Sequence, residues 1–308
     1  MFRIILSRLT QGVLVLFVLL TLTFFLVRQL PGSPFQSERQ LAPHIEAKLN
    51  ETYGLDKPVH IQYVNYLKSV AKGDLMPSMK RETREVSEII GQAFPVSATL
   101  GVCAMAIAVG IGIPAGVIAA VRRNSFADYA AMVGALVGIC VPTFVIGPLL
   151  ATYFGINLGW FRVAGWGQPG DLVLPALTLA LPTAAYIARL TRSGMLEVMS
   201  QDFIRTARAK GLPESTIIVR HALRGGLVPV VAFLGPAFAA IISGSFVIES
   251  IFQIPGMGQH FVQAPGDRDY TLLQGIVLLF GVLIVAANIL SDLATLWLNP
   301  RARTADNK

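Results

Sequence analysis

The sequence predicts an all-α integral membrane protein with six transmembrane helices. Three observations lead there. Of 308 residues, 54% are apolar and only 14% are charged, against about 25% charged in an ordinary soluble domain. The charges are clustered, and they leave six long uncharged intervals between them. Within those intervals small residues recur at helical spacing, as they do where helices pack closely in lipid. These features exclude a freely soluble enzyme or a disordered tail protein. The net charge of +7 is spread too thinly to read as a nucleic-acid surface, so no nucleic-acid partner is expected.

The first interval lies between Arg8 and Arg28 and holds 19 uncharged residues, 14 of them Leu, Val or Phe. At 1.5 Å per residue it reaches about 28 Å, close to the hydrocarbon thickness of a bilayer. Those 14 side chains favour insertion by roughly 4 to 8 kcal/mol as an upper bound. The run is longer than the apolar part of a cleaved signal peptide and ends in Arg28-Gln29-Leu30-Pro31-Gly32-Ser33-Pro34, so it reads as a retained helix. The second and third intervals, Glu88 to Arg122 and Asp128 to Arg162, hold 33 residues each. Each admits one spanning helix and is too short for two with a turn. The fourth, Asp171 to Arg189, holds 17 residues and sits at the lower limit for a span. The fifth, Arg224 to Glu249, holds 24, and the sixth, Asp269 to Asp292, holds 22.

Lys and Arg in short loops set orientation. With the N-terminus inside, the cytoplasmic pieces carry Arg3 and Arg8, Arg122 and Arg123, seven basic residues from Arg189 to Arg224, and three after Asp292. The opposite short loops carry one arginine each, Arg162 and Arg268. Both termini are therefore expected in the cytoplasm. The expected organisation is an N-terminal transmembrane helix (1–30), an extracytoplasmic segment (31–93), a five-helix transmembrane domain (94–298) and a cytoplasmic tail (299–308).

Small residues form stripes at i,i+4 spacing: Ala104, Ala108, Gly112, Gly116 and Ala120 on the second span, Ala130, Gly134 and Gly138 on the third, Gly235, Ala239 and Ser243 on the fifth. They predict close helix contacts. Pro114, Pro142, Pro148, Pro175, Pro182 and Pro236 interrupt the spans and each removes a backbone donor. Cys103 and Cys140 are expected as buried free thiols, and His221 as a hydrogen-bonding loop residue. His44, His60 and His260 are scattered, and no metal site is expected. The intervals hold no ionisable residue of the kind that marks a proton relay. His-Glu-x-x-His, Gly-x-Ser-x-Gly and the phosphate-binding Gly-x-x-x-x-Gly-Lys-Ser/Thr are absent from the sequence. The chain is not expected to be an enzyme. If it moves solute uphill, another polypeptide supplies the energy.

The stretch from Arg189 to Pro229 is expected as a cytoplasmic loop, and it carries the functional candidates. Ser200 is a plausible N-cap, with Asp202 in the first turn of a short helix. Gly211 is a natural stop behind Arg208 and Lys210, and Pro213 suits the first position of a second helix through Ile217, Ile218 and Val219. Spacing puts Phe203, Ala207 and Gly211 on one face and brings Arg205 near Arg208. Such a basic elbow either rests on the lipid surface or docks into a groove on a cytoplasmic partner.

The elbow resembles the coupling motif of ABC importer permeases, where a Glu-Ala-Ala run is followed after three residues by Gly. Here Arg205-Thr206-Ala207 stand in that place, with Gly211 after Arg208-Ala209-Lys210, and the acidic residue is missing. The variant is similar to that of peptide and nickel permeases. Pro31-Gly32-Ser33-Pro34, Tyr53-Gly54-Leu55-Asp56-Lys57-Pro58 with Gln62-Tyr63, Phe94-Pro95-Val96-Ser97, Ile254-Pro255-Gly256-Met257-Gly258 and Arg268-Asp269-Tyr270 agree with the same family over nearly the whole chain. The resemblance is to the B-type permease subunit of bacterial oligopeptide importers. Two positions depart from the pattern: Met76-Pro77 precede Ser78 where the family more often has Gly, and Thr271 follows Tyr270 where many relatives have Pro.

The resemblance implies the type-1 permease fold, placed in the bacterial cytoplasmic membrane, with a mostly helical outer segment after helix 1. It implies a second homologous permease subunit, two ATPase subunits that bind the ATP, an extracytoplasmic peptide-binding protein and a peptide cargo. This chain would itself hold no cofactor. Phe203, Arg205, Thr206, Ala207, Arg208, Lys210, Gly211 and Pro213 would couple it to an ATPase. Dipeptides, nickel or glutathione are alternative cargoes on the same architecture, and an ATP-independent secondary carrier is the alternative of another class. The Ile254–Gly258 stretch would form a re-entrant piece or an ordinary Pro-Gly turn.

Overall fold

The computed structural model describes residues 2–29, 35, 44, 48, 50, 51, 53–81 and 84–298. Pro31–Pro34 and the tail 299–308 lie outside them. The described chain is helical: α1 (Phe2–Arg28), α2 (Val59–Ala71), α3 (Val86–Val121), α4 (Phe126–Cys140), α5 (Thr143–Leu150), α6 (Val173–Met199), α7 (Asp202–Ala209), α8 (Glu214–Thr216), α9 (Leu223–Gly226), α10 (Val228–Gly244), α11 (Phe246–Ile251), α12 (Met257–Asp267) and α13 (Tyr270–Leu298). π-helical turns follow α5 (Ala151–Asn157) and α8 (Ile217–Ala222). Among the described residues the β structure is one isolated bridge, Pro77 to Glu85.

Among the described residues five helical runs are long and apolar enough to cross a membrane, and six if α4 and the run Thr143–Asn157 count as one. That pair is bent by 104°. The third uncharged interval, expected as a single spanning helix, is thus two pieces. α4 stops at Val141, which is extended, and Pro142 supplies no N–H to continue the ladder. The fourth interval errs the other way, because α6 is a full 27 residues and runs past Arg189 and Arg192. The expected loop therefore begins only after Met199.

The chain forms two compact units. The first comprises Met1–Leu9, Ala98–Ile254 and Leu283–Lys308, and α6 is its hub. The α3 stripe lies buried along α6: Ala104 and Ala108 are fully buried. A Cβ at Gly112 would stand 2.6 Å from the Ala184 carbonyl oxygen, and one at Gly116 would strike that of Ala188. Gly138 meets Ala185, whereas Ala130 and Gly134 are exposed. Of the expected third-span stripe only Gly138 meets protein, and Ala135, outside that stripe, is buried. On α10, Gly235 meets Ala287 and Ser291 of α13. The Ser291 hydroxyl donates to Val231 O at 2.7 Å and Ala232 O at 3.0 Å. Both cysteines are free, but Cys103 is half-buried and Cys140 exposed, not buried as expected.

The second unit comprises Thr10–Ser97 and Pro255–Val282. In α1, Leu20, Phe24 and Val27 are buried on one face, while Val13, Leu14, Phe17, Leu22 and Phe25 are exposed. One protein-facing stripe on an otherwise apolar helix suits a span bathed by lipid. Val86, Ile89 and Ala93 of α3 pack with Met257 and Ala264 of α12 and Leu272 and Ile276 of α13. The segment before α12 is a turn, with Gln253 at φ +52° and the helix starting directly after Gly256. Ser97 Oγ accepts the Met257 N–H at 2.8 Å and so caps that helix start. The two family departures meet: the Thr271 hydroxyl donates to Pro77 O at 2.8 Å, a bond that proline at 271 could not make. Ser78 Oγ is hydrogen-bonded to the buried Asp269 carboxylate beside it.

Candidate coupling elbow

The elbow is α7 and the turn that follows, and its geometry follows from local sequence. Gln201, not Ser200, is the N-cap, and it makes no side-chain capping bond. The Ser200 hydroxyl instead donates back to Glu197 O at 2.7 Å, closing the end of α6. At the other end Gly211 adopts φ +75°. Its N–H donates to Arg208 O at 2.9 Å, and the Leu212 N–H reaches Ala207 O at 3.4 Å. This nested pair is the Schellman termination, and it needs a left-handed residue at the glycine. Pro213 stands at the N-cap of α8 and not, as expected, at its first helical position, which Glu214 takes.

α7 has two unlike sides. Ile204 and Ala207 are buried at i,i+3 and pack with Met195 and Val198 of α6 and with Ile217. Phe203, Arg205, Thr206, Arg208, Lys210, Gly211 and Pro213 are exposed. The expected shared face of Phe203, Ala207 and Gly211 is therefore not formed. On the helix Phe203 stands about 40° to one side of Ala207 and Ile204 about 60° to the other; the neighbours of α7 cover the Ile204 side and leave Phe203 exposed. Seven of the eight expected coupling residues lie on the open side and Ala207 anchors the packed one.

The open side is held by its own charges. Arg208 grips Glu214 with two bonds, Nη2 to Oε1 at 2.6 Å and Nε to Oε2 at 3.2 Å. That hydrogen bonding holds the Glu214 carboxyl below its usual range and the Arg208 guanidinium above its own. The bridge ties α7 to α8 across the glycine turn. Arg205 reaches Asp202 at 3.5 Å, a loose exposed pair that leaves most of its donors to solvent.

Next to the elbow lies a cavity of about 490 Å³, lined by Glu197, Gln201, Phe203, His221 and Arg224 among others. In the sequence Arg224 reads as a topology charge and His221 as a loop residue, whereas in the structure both line this cavity and His221 sits on the π-helical turn. A second cavity, of about 500 Å³, is lined by Thr143, Pro182, Tyr186, Phe233 and Pro236. The most consequential miss is Asp128, buried on α4, which takes Arg192 of α6 in two bonds: Nε to Oδ1 at 2.6 Å and Nη2 to Oδ2 at 2.8 Å. The Asn124 N–H donates to the same carboxylate at 3.0 Å. Asp128 and Arg192 stand 64 positions apart, so no local pattern pairs them. Among the described residues no cluster of His, Cys, Asp and Glu is arranged to hold a metal ion.

A helical bundle with several apolar spans agrees with the known proteins this chain matches. Residues 112–304 match the family described as binding-protein-dependent transport system inner membrane component, and residues 1–100 match its companion N-terminal membrane component. The chain belongs to this family of transport components. It is similar to the oligopeptide transport system permease protein OppB of Haemophilus influenzae, 44% identical over 305 residues, covering 98% of this chain and all of that one. It is also similar to the dipeptide transport system permease protein DppB of Bacillus subtilis, 46% identical over 303 residues and 98% of both chains. Among solved structures the fold is like that of the inward-facing methionine ABC transporter MetNI, with a TM-score of 0.57 at 17% identity, over 68% of this chain and 96% of that one.

Proposed function

We propose that this chain is the non-catalytic permease subunit of an ATP-driven importer that carries oligopeptides across the cytoplasmic membrane by alternating access. Its partners are a second permease subunit, two ATPase subunits that bind the ATP, and an extracytoplasmic protein that delivers the peptide. Both termini face the cytoplasm. Residues 1–30 form the first span, 31–93 the outer segment, 94–298 the transport domain and 299–308 the cytoplasmic tail. The observation that carries the reading is the elbow. A short helix is fastened to the hub helix through Ile204 and Ala207 and presents Phe203, Arg205, Thr206, Arg208, Lys210, Gly211 and Pro213 outward. That arrangement suits docking into a groove of a soluble subunit, whose closure would move α6 with it.

The test is peptide uptake into proteoliposomes. The chain reconstituted with its partners takes up oligopeptide only with ATP, and the chain alone takes up none. Uptake by the chain alone would make it a secondary carrier. Gly211→Val keeps membrane insertion but loses uptake, because a β-branched residue at positive φ re-aims the elbow. Normal uptake in that variant removes the coupling role. The identity to a dipeptide permease supports dipeptides as a second cargo, and competition between dipeptides and longer peptides for uptake separates the two.

A further inference from the structure

Within the second unit a small cavity of about 70 Å³ is lined by Phe24, Arg28, Gln62, Tyr66 and Gln274 among others. That is more than the roughly 30 Å³ one water takes in liquid. Arg28 closes one side. Its guanidinium lies 3.4 Å from the centroid of the Phe24 ring, and Tyr66 stacks on the same ring at 5.5 Å. Gln62 Oε1 accepts from Arg28 Nε at 3.1 Å and from Nη2 at 2.8 Å, and Phe24 O accepts from Nη1 at 3.1 Å. Three of the five guanidinium N–H groups are thus used and two remain.

All of these acceptors are neutral. Among the described residues no carboxylate lies within ion-pair distance of Arg28. Asp269, which borders the region through Thr271, is committed to Ser78, the Met79 and Leu272 N–H groups and the Thr271 hydroxyl. Two further polar atoms on the lining are buried and unpartnered, the Tyr66 hydroxyl and Gln274 Nε2. Gln274 is 5% exposed. Burial pushes the Tyr66 phenol up, so it stays protonated and can donate. Unspent N–H and O–H donors around a partly buried cation that lacks a counter-charge are the chemistry of an anion site, since water alone would leave the positive charge uncompensated.

We propose that this cavity binds a small monovalent anion of chloride's size, held by Arg28, Tyr66 and Gln274. The ion fastens the end of α1 to α2 and to the first turns of α13, and so clamps the second unit. The experiment uses the full chain in its transporter complex, with bromide as the probe. Anomalous diffraction from crystals grown in bromide shows a peak in the cavity. Thermal unfolding at constant ionic strength gives a midpoint that rises with chloride over gluconate and saturates, as ligand linkage requires. Tyr66→Phe and Gln274→Leu each lose the peak and the chloride-dependent rise. Ordered waters without anomalous signal, together with a midpoint indifferent to halide, would overturn the proposal. Should either variant fail to fold, the wild-type bromide peak and halide titration decide it alone.

Discussion

α6 and α7 are neighbours in the chain and opposites in construction. α6 spends most of its surface on protein and leaves one edge, Tyr186, Arg189, Ser193 and Glu197, exposed. Leu174, Ala180, Ile187, Ala188 and Met195 are buried, and glycines of α3, and Gly194 with Gly226, let backbones touch. α7 spends one narrow edge, Ile204 and Ala207, and leaves its remaining side chains in solvent. A helix gripped over most of its surface transmits displacement because its neighbours cannot deform around it. A helix fastened on one edge offers a surface to something else. The junction between them, Ser200 back-bonded to Glu197, is where an outside force would enter the bundle.

This comparison can be broken at its strong end first. Gly194→Leu puts side-chain atoms onto the Gly226 backbone, which has no rotamer by which to yield. The expected result is no monodisperse protein by size-exclusion chromatography, from strain of about 3 kcal/mol or more. A well-folded Gly194→Leu chain would show that α6 is less tightly held than its contacts imply. Next is the ion pair behind α6. Asp128→Ala leaves Arg192 without its carboxylate, and loss of one partner from such a pair costs about 3–5 kcal/mol. Thermal unfolding in detergent reads this as a lowered midpoint, with recovery when Arg192→Met is added.

The elbow should respond far less. Glu214→Gln removes one partner of an exposed bridge, worth at most about 1 kcal/mol once solvent screening is allowed for. Its pH dependence is specific. The Glu214 carboxyl is depressed in the folded chain, so its contribution is fully present above the unfolded value of about 4.3 and is lost as pH falls through the folded one. Amide protection factors across residues 202–216, corrected for the slower intrinsic exchange at low pH, should fall on acidification in the native chain and show no such step in Glu214→Gln. Equal acid responses in the two would place the stability of the elbow in Ile204 and Ala207 alone.

What the sequence made legible is what rests on local chemistry. Charge-free runs located the membrane helices, and Gly211 located the elbow turn, because a left-handed stop and an apolar run are both written in adjacent residues. The errors came from contacts distant in the chain. The fourth interval looks short because Arg189 marks its edge; α6 runs on past it, and the Asp128 carboxylate lets that helix carry Arg192 as well. The third looked continuous because Pro142 in an apolar run can either kink a helix or end it, and only packing decides. The stripe on the third span is only partly legible for the same reason: small residues occur on both faces of α4, and Gly138 of the expected stripe meets protein together with Ala135 outside it, while Ala130 and Gly134 are exposed. At the elbow, the residue types were legible but the rotation of the helix was not, so Phe203 was paired with Ala207 until the neighbours of α7 were known. The bond from Thr271 to Pro77 joins two positions 194 apart and left no local trace.

The account stands on the open side of α7 being the surface that a separate ATPase holds. Arg205→Glu combined with Phe203→Ala alters that side without touching the Ile204–Ala207 anchor. Co-purification of the tagged chain with its ATPase subunits is the direct measurement. The variant should enter the membrane, keep its unfolding midpoint, and recover about tenfold less ATPase or lower still, as a loss of about 1.4 kcal/mol would give. Full recovery of both ATPases by the folded variant would contradict the account.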